Sequence, residues 1–394
     1  MSIKKFELII AVSFDVTGIA RLPRVLHDAG CRVTLYAPSG LAIGKTRFVD
    51  SHIQAPTRLG DFVEELRVHL EQRGSSYHWL IIGDELLLGE ISKHKTEAWL
   101  EAWFPVDVRT NAVELILSKF AFLSAATTAN LNVPRLEICR SIEEGRAIAS
   151  SIGYPVLLKA AYGFNGSGVR VVMHPSDFDK EFHELFSGGE LAIQRYVAGP
   201  VGMTEVLFDC GVPVCWCSSY KRASWPHRNA ASCIRELIDH PDVEAIVRGV
   251  GRLTGFDGLG GIDWVHDPNT DSLFLIEFNP RPTPGYHLAE AAGVSFAAGI
   301  RSVLSGEPGY EFQSNAKARA KLIHMFPQST YLAIDRRDPL MLARSLADVP
   351  WSDPKLAAAY ARRVVTHYMP GSLRQLAKRK LRPPAPRLDP KDVQ

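Results

Sequence analysis

The sequence predicts an α/β protein of two or three domains whose first domain is a parallel, doubly wound sheet. Length is one reason: 394 residues exceed a single average core. Composition is another, since 46% hydrophobic and 22% charged residues are the proportions of an ordinary soluble globular chain. The order of elements in residues 6–83 decides the class. Residues 6–14 (Phe-Glu-Leu-Ile-Ile-Ala-Val-Ser-Phe) form an apolar run that stops at Asp15 and Thr17-Gly18. A helical pattern follows to Ala29-Gly30, then a strand at 31–38, a helix at 59–72 and a strand at 79–83. Strand, helix, strand, helix, strand implies a parallel sheet. The first strand-to-helix turn lacks the G-x-G-x-x-G spacing, so it predicts no dinucleotide site.

Charge and composition narrow the function classes. A net charge of +2 gives no bulk attraction for nucleic acid or membrane. No apolar run approaches the roughly 20 residues of a membrane span, and the Met-Ser-Ile-Lys-Lys-Phe start reads as a first strand, not a signal peptide. Cys31, Cys139, Cys210, Cys215, Cys217 and Cys233 contain no C-x-x-C pair. Cys215 and Cys217 share one face of a strand, which suits packing better than metal binding and predicts a reducing, cytoplasmic setting.

Further along, a helix from Asn111 to before Val133-Pro134 carries Lys119, which alone would read as a solvated side chain. A helix at 142–152 ends at Gly153, and the short strand 154–160 bears Lys159. Residues 162–172 then read as strand, glycine-rich turn and strand. Gly163, Gly166 and Gly168 let backbone N–H groups converge on an anion, although hairpin turns need glycine anyway. Beside Lys159, a phosphate lid is the better reading. Strand candidates follow at 191–197, 204–208 and 213–217, and then a loop with Lys221, Arg222, His227 and Arg228 around Trp225. This patch is too short for nucleic acid and suits a small anion or a triphosphate.

The most informative stretch is Leu273-Phe-Leu-Ile-Glu277-Phe-Asn279-Pro-Arg281. An apolar strand does not run into Glu, Asn and Arg unless something neutralises them. Glu277 and Asn279 are two apart, so they share a face and can hold one hard cation. A hairpin across residues 267–271 would set Asp263 beside Glu277. A salt bridge at a strand end is the plain alternative for this segment alone.

In order and spacing, Lys119, Lys159 with its glycine-rich hairpin, the hinge strand and Asp263…Glu277-x-Asn279-Pro-Arg281 resemble the ATP-grasp superfamily over residues 110–310. The resemblance implies a Rossmann-like domain at 1–108 and an ATP-grasp fold at 109–310, its lid at about 134–197. That fold comprises two α+β subdomains holding ATP between them, and 311–394 would be an extension with a basic, proline-rich tail. It implies that Lys119 and Lys159 contact phosphates and that residues 163–168, with Asn165 and Ser167, close over them. It implies that Gln194, with Arg195, Tyr196 and Val197, reads adenine. Asp263, Glu277 and Asn279 would hold Mg²⁺, or Mn²⁺ in its place, and Arg281 would stabilise the phosphoryl group in transit. Where the family usually has an acidic ribose-binding residue this chain has Val201, and Glu205 is the nearest carboxylate.

The resemblance further implies a carboxylate–amine ligase that makes an acyl phosphate and releases ADP and phosphate. Its partners would be a small-molecule carboxylate and an amine, with no nucleic acid and no membrane. Dimers are common in the family, which allows a homodimer. Lys221, Arg222, His227, Arg228 and His287 are the candidate substrate clamp. Rival readings are a bicarbonate- or carbamoyl-phosphate-type activating enzyme and an ATP-binding module without catalysis. A phosphoryl-transfer arginine in place argues against the module.

Overall fold

The computed structural model describes residues 5–160, 168–227, 230–306, 313–314 and 321–370. The chain opens with β1 (Phe6–Ala11), α1 (Leu22–Asp28), β2 (Cys31–Ala37), β3 (Ser51–Gln54), α2 (Leu59–Arg73) and β4 (Trp79–Ile82). These strands form one all-parallel sheet in the order β3-β2-β1-β4. Ile9 and Ala11 pack against Phe62 and Leu66 of α2, while Leu8 and Ile10 pack against Leu22 and Leu26 of α1. Burial on both faces is why β1 reads as an unbroken apolar run. After β4, Asp84 caps α3 (Glu85–Ser92) by accepting from Leu87 N. The same carboxylate accepts from Ser13 N (2.7 Å) and Ser13 Oγ (2.9 Å), tying together the carboxyl ends of β1 and β4.

The single helix expected from Asn111 is two, α4 (Ala112–Leu117) and α5 (Lys119–Thr128). Ser118 is extended (φ −109°, ψ 111°) and its hydroxyl accepts from Ala121 N, so it ends one helix and caps the next. Lys119 thereby stands in the first turn of α5.

A second sheet comprises β5 (Leu136–Cys139), β6 (Val156–Ala160), β7 (Val169–Val172) and β8 (Leu191–Arg195), with α6 (Ile142–Ile152) and α7 (Phe178–Leu185) between them in sequence. It is antiparallel, in the order β5-β8-β6-β7. Ala149 of α6 and Phe178 and Phe182 of α7 cover one face through Val156, Leu158, Leu191 and Ile193. Lys159 and Gln194 alternate with those buried residues and so occupy the other face.

The third sheet uses β9 (Val201–Asp209), β10 (Val212–Ser224) and β11 (Ser232–Leu237); after α8 (Asp242–Thr254) it adds β12 (Gly258–Asp267) and β13 (Ser272–Asn279), and after α9 (Phe296–Ser305) it adds β14 (Gln313–Ser314) and β15 (Lys321–His324). Its order is β13-β12-β9-β10-β11-β15, with β14 beside β10. Lys221 and Arg222, expected in a loop, lie on β10, because its pairing with β11 continues to Ser224, with register shifts after Lys221 and after Ala223. One face packs Phe208, Trp216, Trp264 and Phe278 against Phe122 of α5 and Ile246 and Val250 of α8. Trp264 is fully buried, its Nε1 donating to Thr204 Oγ1 at 2.9 Å. A Cβ at Gly202 would overlap the indole, so glycine makes room for it. Truncating such a side chain to alanine costs about 3–5 kcal/mol. The opposite face carries Leu207, Cys215, Cys217 and Leu259 toward Phe296 and Ile300 of α9.

The chain closes with α10 (Gln328–Arg336), α11 (Pro339–Leu346) and α12 (Pro354–Tyr368), helices that the sequence reading did not anticipate. They are fastened to the first unit: Arg21 Nη1 lies 2.8 Å from Asp348 Oδ1, and Asp353 caps α12 while accepting from Thr46. The basic tail expected at 378–382 lies outside the described residues. All six cysteines are free, and burial pushes the Cys139 thiol up to about 11. Among the described residues no helix is long and apolar enough to cross a membrane.

Candidate active site

The carboxylates owe their meeting to a bulge. β12 and β13 pair with Asp263 opposite Glu277 but Trp264 opposite Leu275, leaving Ile276 as an extra residue. Leu273 and Leu275 face the helices. Without the bulge, strict alternation would send Glu277 the same way. The extra residue flips the phase, so Phe278 takes the helix side and Glu277 joins Asp263 on the open face. Asn279 follows on that face, its Nδ2 donating to Asp263 Oδ2 at 3.4 Å.

Two carboxylates crowded in a half-buried place resist ionising together. Burial first, and the Glu277 charge second, push Asp263 up to about 7. Its oxygen donors, with those of Glu277 and Asn279, make the hard set that a divalent cation takes. A pair short of positive charge fits such an ion, and Lys119 partly fills the deficit: its Nζ lies 2.8 Å from Glu277 Oε1. Burial lowers the Lys119 pKa, but Glu277, together with Glu85 and Asp263, outweighs it and the net shift is upward.

Lys159 approaches the same cluster from the second sheet. Burial presses its pKa down to about 8, against the pull of Glu277 and together with the push of Lys119. Lys221, on the open face of β10, is also lowered, by burial first, with Asp263 pulling the other way. Arg281, just past β13, donates to Glu85 Oε1 from Nη2 at 2.9 Å and from Nε at 3.2 Å. Three lysines therefore bear on the carboxylates, with Arg281 two residues beyond Asn279, an arrangement able to hold a polyphosphate with a metal.

The other end of the cleft is polar in one place. Gln194 is fully buried on β8, its Nε2 donating to Pro134 O at 3.5 Å, while its Oε1 finds no partner among the described residues. An orphaned buried acceptor costs about 1–3 kcal/mol unless a ligand donates to it, which fits an exocyclic amino group. The Arg195 and Tyr196 N–H groups are already bonded, to Arg135 O (2.8 Å) and Pro155 O (3.3 Å), and are not available as donors to a base. Val197 is buried beside them.

The comparisons point the same way. The family model described as "Carbamoyl-phosphate synthase L chain, ATP binding domain" matches residues 118–210. The chain has the ATP-grasp fold. Acetyl-CoA carboxylase of Schizosaccharomyces pombe is 28% identical over 180 residues, 43% of this chain but 8% of that relative. The chain thus spans under a tenth of the length of that relative. The biotin carboxylase domain of Hydrogenobacter thermophilus 2-oxoglutarate carboxylase, a dimer in complex with MgADP, ADP and bicarbonate, superposes with a TM-score of 0.61 at 17% identity, covering 81% of this chain and 73% of that one. L-amino acid ligase from Bacillus licheniformis gives a TM-score of 0.57 at 15% identity, covering 78% and 77%.

Several expected residues do not join this ATP-grasp cleft. Glu205 is no free ribose acceptor, because Arg235 Nη1 binds its Oε1 at 2.5 Å and Thr283 Oγ1 donates to the same oxygen at 3.3 Å. Arg222, at a register shift of β10, pairs with Glu236 and lies over the Tyr220 ring, on the face away from Lys221. His227 sits exposed in the turn beyond β10. His287 is no cationic clamp: burial and Arg21 lower its pKa, and its ring faces Asp348 at 3.4 Å beside a cavity of about 180 Å³. Gly163, Asn165, Gly166, Ser167 and Arg228 lie outside the described residues, whereas Gly168 is the turn residue before β7.

Two participants escaped the sequence reading. Glu85 reaches Arg281 from the carboxyl edge of the parallel sheet, where open α/β sheets bind ligands. Gly83-Asp-Glu85 directly after the apolar run 79–82 was the available signal. Arg235, on β11, is only 4% exposed, and a buried arginine on a strand calls for a buried partner. His240, His266 and Asp271 form another cluster, but it does not suit a metal. His240 Nδ1 accepts from Asp242 N at 3.2 Å, which leaves the ring proton on Nε2, the atom turned toward Asp271. The cluster instead holds Asp271 at φ +51° in the β12–β13 turn.

Proposed function

We propose that the protein is an ATP-dependent, ADP-forming ligase that activates a small carboxylate as an acyl phosphate and joins it to an amine. The observation that carries this is the convergence of Asp263, Glu277 and Asn279 with Lys119, Lys159 and Lys221, with Arg281 two residues beyond Asn279 and paired to Glu85. A bare nucleotide-binding module needs no arginine at that end. The similarity to L-amino acid ligase supports the carboxylate–amine pairing.

In this reading Gln194 Oε1 accepts from the adenine amino group, and Lys119 and Lys159 neutralise phosphate oxygens. Asp263, Glu277 and Asn279 would hold Mg²⁺, or Mn²⁺, which when bound offsets the charge on the β- and γ-phosphates. Arg281 balances charge on the phosphoryl group in transit and then on the acyl phosphate. A carboxylate oxygen attacks the γ-phosphorus while the bond to ADP breaks. The amine nitrogen then attacks the acyl carbon, phosphate leaves, and the nitrogen loses a proton. Activation is needed because a carboxylate is a poor electrophile. Lys221, on the same face as Asp263, is suited to hold the carboxylate in line.

We assign the chemistry to residues 109–310, with 1–108 supplying Glu85 and 311–394 as an extension. The similarity to a biotin carboxylase domain bound to bicarbonate supports bicarbonate as an alternative acid for the same chemistry, and that domain's dimer supports a homodimer here. ADP release measured with single amino acids, amino-acid pairs and bicarbonate separates the readings. Turnover needing two organic substrates supports the ligase, whereas bicarbonate alone supporting turnover replaces it.

A further inference from the structure

We propose that the buried Glu205–Arg235 ion pair is a positioning device for Arg281, acting through the loop at residues 282–287. The assignment rests on the proposed phosphoryl-transfer role of Arg281. Glu205 and Arg235 are 2% and 4% exposed. Their common purpose is visible in what they touch.

Thr283 donates to Glu205 Oε1, the same oxygen that Arg235 binds. Gly285 lies so close that a Cβ there would overlap both Glu205 Oε1 and Arg235 Nη1. The rest of the loop is seated as tightly. A Cβ at Gly261 would overlap Thr283, and one at Gly18 would overlap Pro284. Tyr286 Oη donates to Gly260 O at 2.8 Å. Three glycines on three separate segments thus remove side chains where the loop presses down. The ion pair forms the centre of that seat.

Arg281 stands at the loop's start and is held from the other side by Glu85. A guanidinium that must meet a moving phosphoryl group tolerates little misplacement, since an error of about 1 Å costs roughly a hundredfold. A buried pair also has little to recommend it for stability alone, because apolar side chains of similar size often serve as well. The directional bonds from Arg235 and Thr283 to one oxygen fix the loop's height above the sheet, which apolar packing does not.

The test uses the full-length chain and two probes, Mg·ADP and Mg·ADP with fluoroaluminate as a mimic of the phosphoryl group in transit. Glu205→Gln removes the charge, Gly285→Ala forces the loop off the pair, and Glu205→Met with Arg235→Met replaces the pair by apolar side chains. We expect every variant to keep its affinity for Mg·ADP while losing roughly a hundredfold of the gain from fluoroaluminate. Amide exchange at residues 281–287 should quicken in each. The double methionine variant should recover the wild-type unfolding midpoint without recovering that gain. Recovery of both, or a Gly285→Ala protein with the full gain, overturns the assignment. Wild-type protein with no gain, and Arg281→Met no different from it, overturns the phosphoryl-transfer reading and this assignment with it.

Discussion

Lys119 Nζ lies 2.8 Å from Glu277 Oε1, a cation from the first turn of α5 resting on a carboxylate of β13. The contact joins the two halves of the proposed site, the phosphate-binding cations and the metal-binding oxygens. It also sets them in competition, because a divalent ion on Glu277 frees Lys119 to turn to a phosphate.

That competition makes Lys119→Met informative. Divalent metal alone should bind the variant more tightly, by roughly two- to fivefold for a partly exposed pair. Mg·ATP should bind it less tightly. Calorimetry with Mn²⁺ and then with nucleotide reads both signs, and a loss of affinity for both would contradict the exchange.

Asp263 supplies a pH dependence. Its folded pKa, raised by burial and then by Glu277, is about 7 against an ordinary value of 3.8. The folded protein therefore binds the extra proton between those values. Its contribution to stability is full below about pH 4 and lost as pH rises through 7. Metal-free protein should lose melting temperature across that window relative to Asp263→Asn. Metal binding should release protons below pH 7, as calorimetry in buffers of different ionisation heats would show.

Lys159 predicts a second limb. Burial lowers its pKa to about 8, so the free protein loses this positive charge as pH rises past 8. Nucleotide affinity should fall between pH 8 and 9.5. Lys159→Met should bind ATP weakly and without that limb, and a variant that retains it would assign the limb elsewhere.

Gln194 predicts base selectivity. Its Oε1 is a buried acceptor awaiting a donor. Gln194→Met should fold at least as stably as the parent and reduce the preference for ATP over GTP by roughly tenfold, the worth of one hydrogen bond of about 1.4 kcal/mol. Competition between the two nucleotides measures it, and an unchanged preference would remove Gln194 from base recognition.

Much of this site could be read from residue order alone. Three of the four strands of the parallel sheet are legible in residues 6–83, because burial on both faces forces apolar runs of strand length, whereas β3, Ser51–Gln54, is largely exposed and has no such run. Asp263, Glu277 and Asn279 stood out because charge and amide groups interrupt an apolar strand. What stayed hidden was set by long-range packing. The Ile276 bulge, which turns Glu277 to the open face, leaves no mark in composition. The side of β10 that Arg222 takes depends on how far the strand runs, and the pairing of Glu205 with Arg235 joins residues 30 apart on different strands. His287 looked like a clamp by its nearness to Arg281 in sequence, yet a turn of helix carries it to Asp348. The helices α10 and α11 escape notice because each is short and the two meet at Asp338 and Pro339.

The central claim is that Glu277 belongs to a metal site for phosphoryl transfer. ADP and phosphate release with Mg·ATP, over pooled carboxylates and amines, should be followed for wild type and Glu277→Gln alongside their circular dichroism melts. The account predicts Mg²⁺-dependent release by wild type and none above background from a variant that melts within a few degrees of it. Turnover by Glu277→Gln at the wild-type rate would contradict the account.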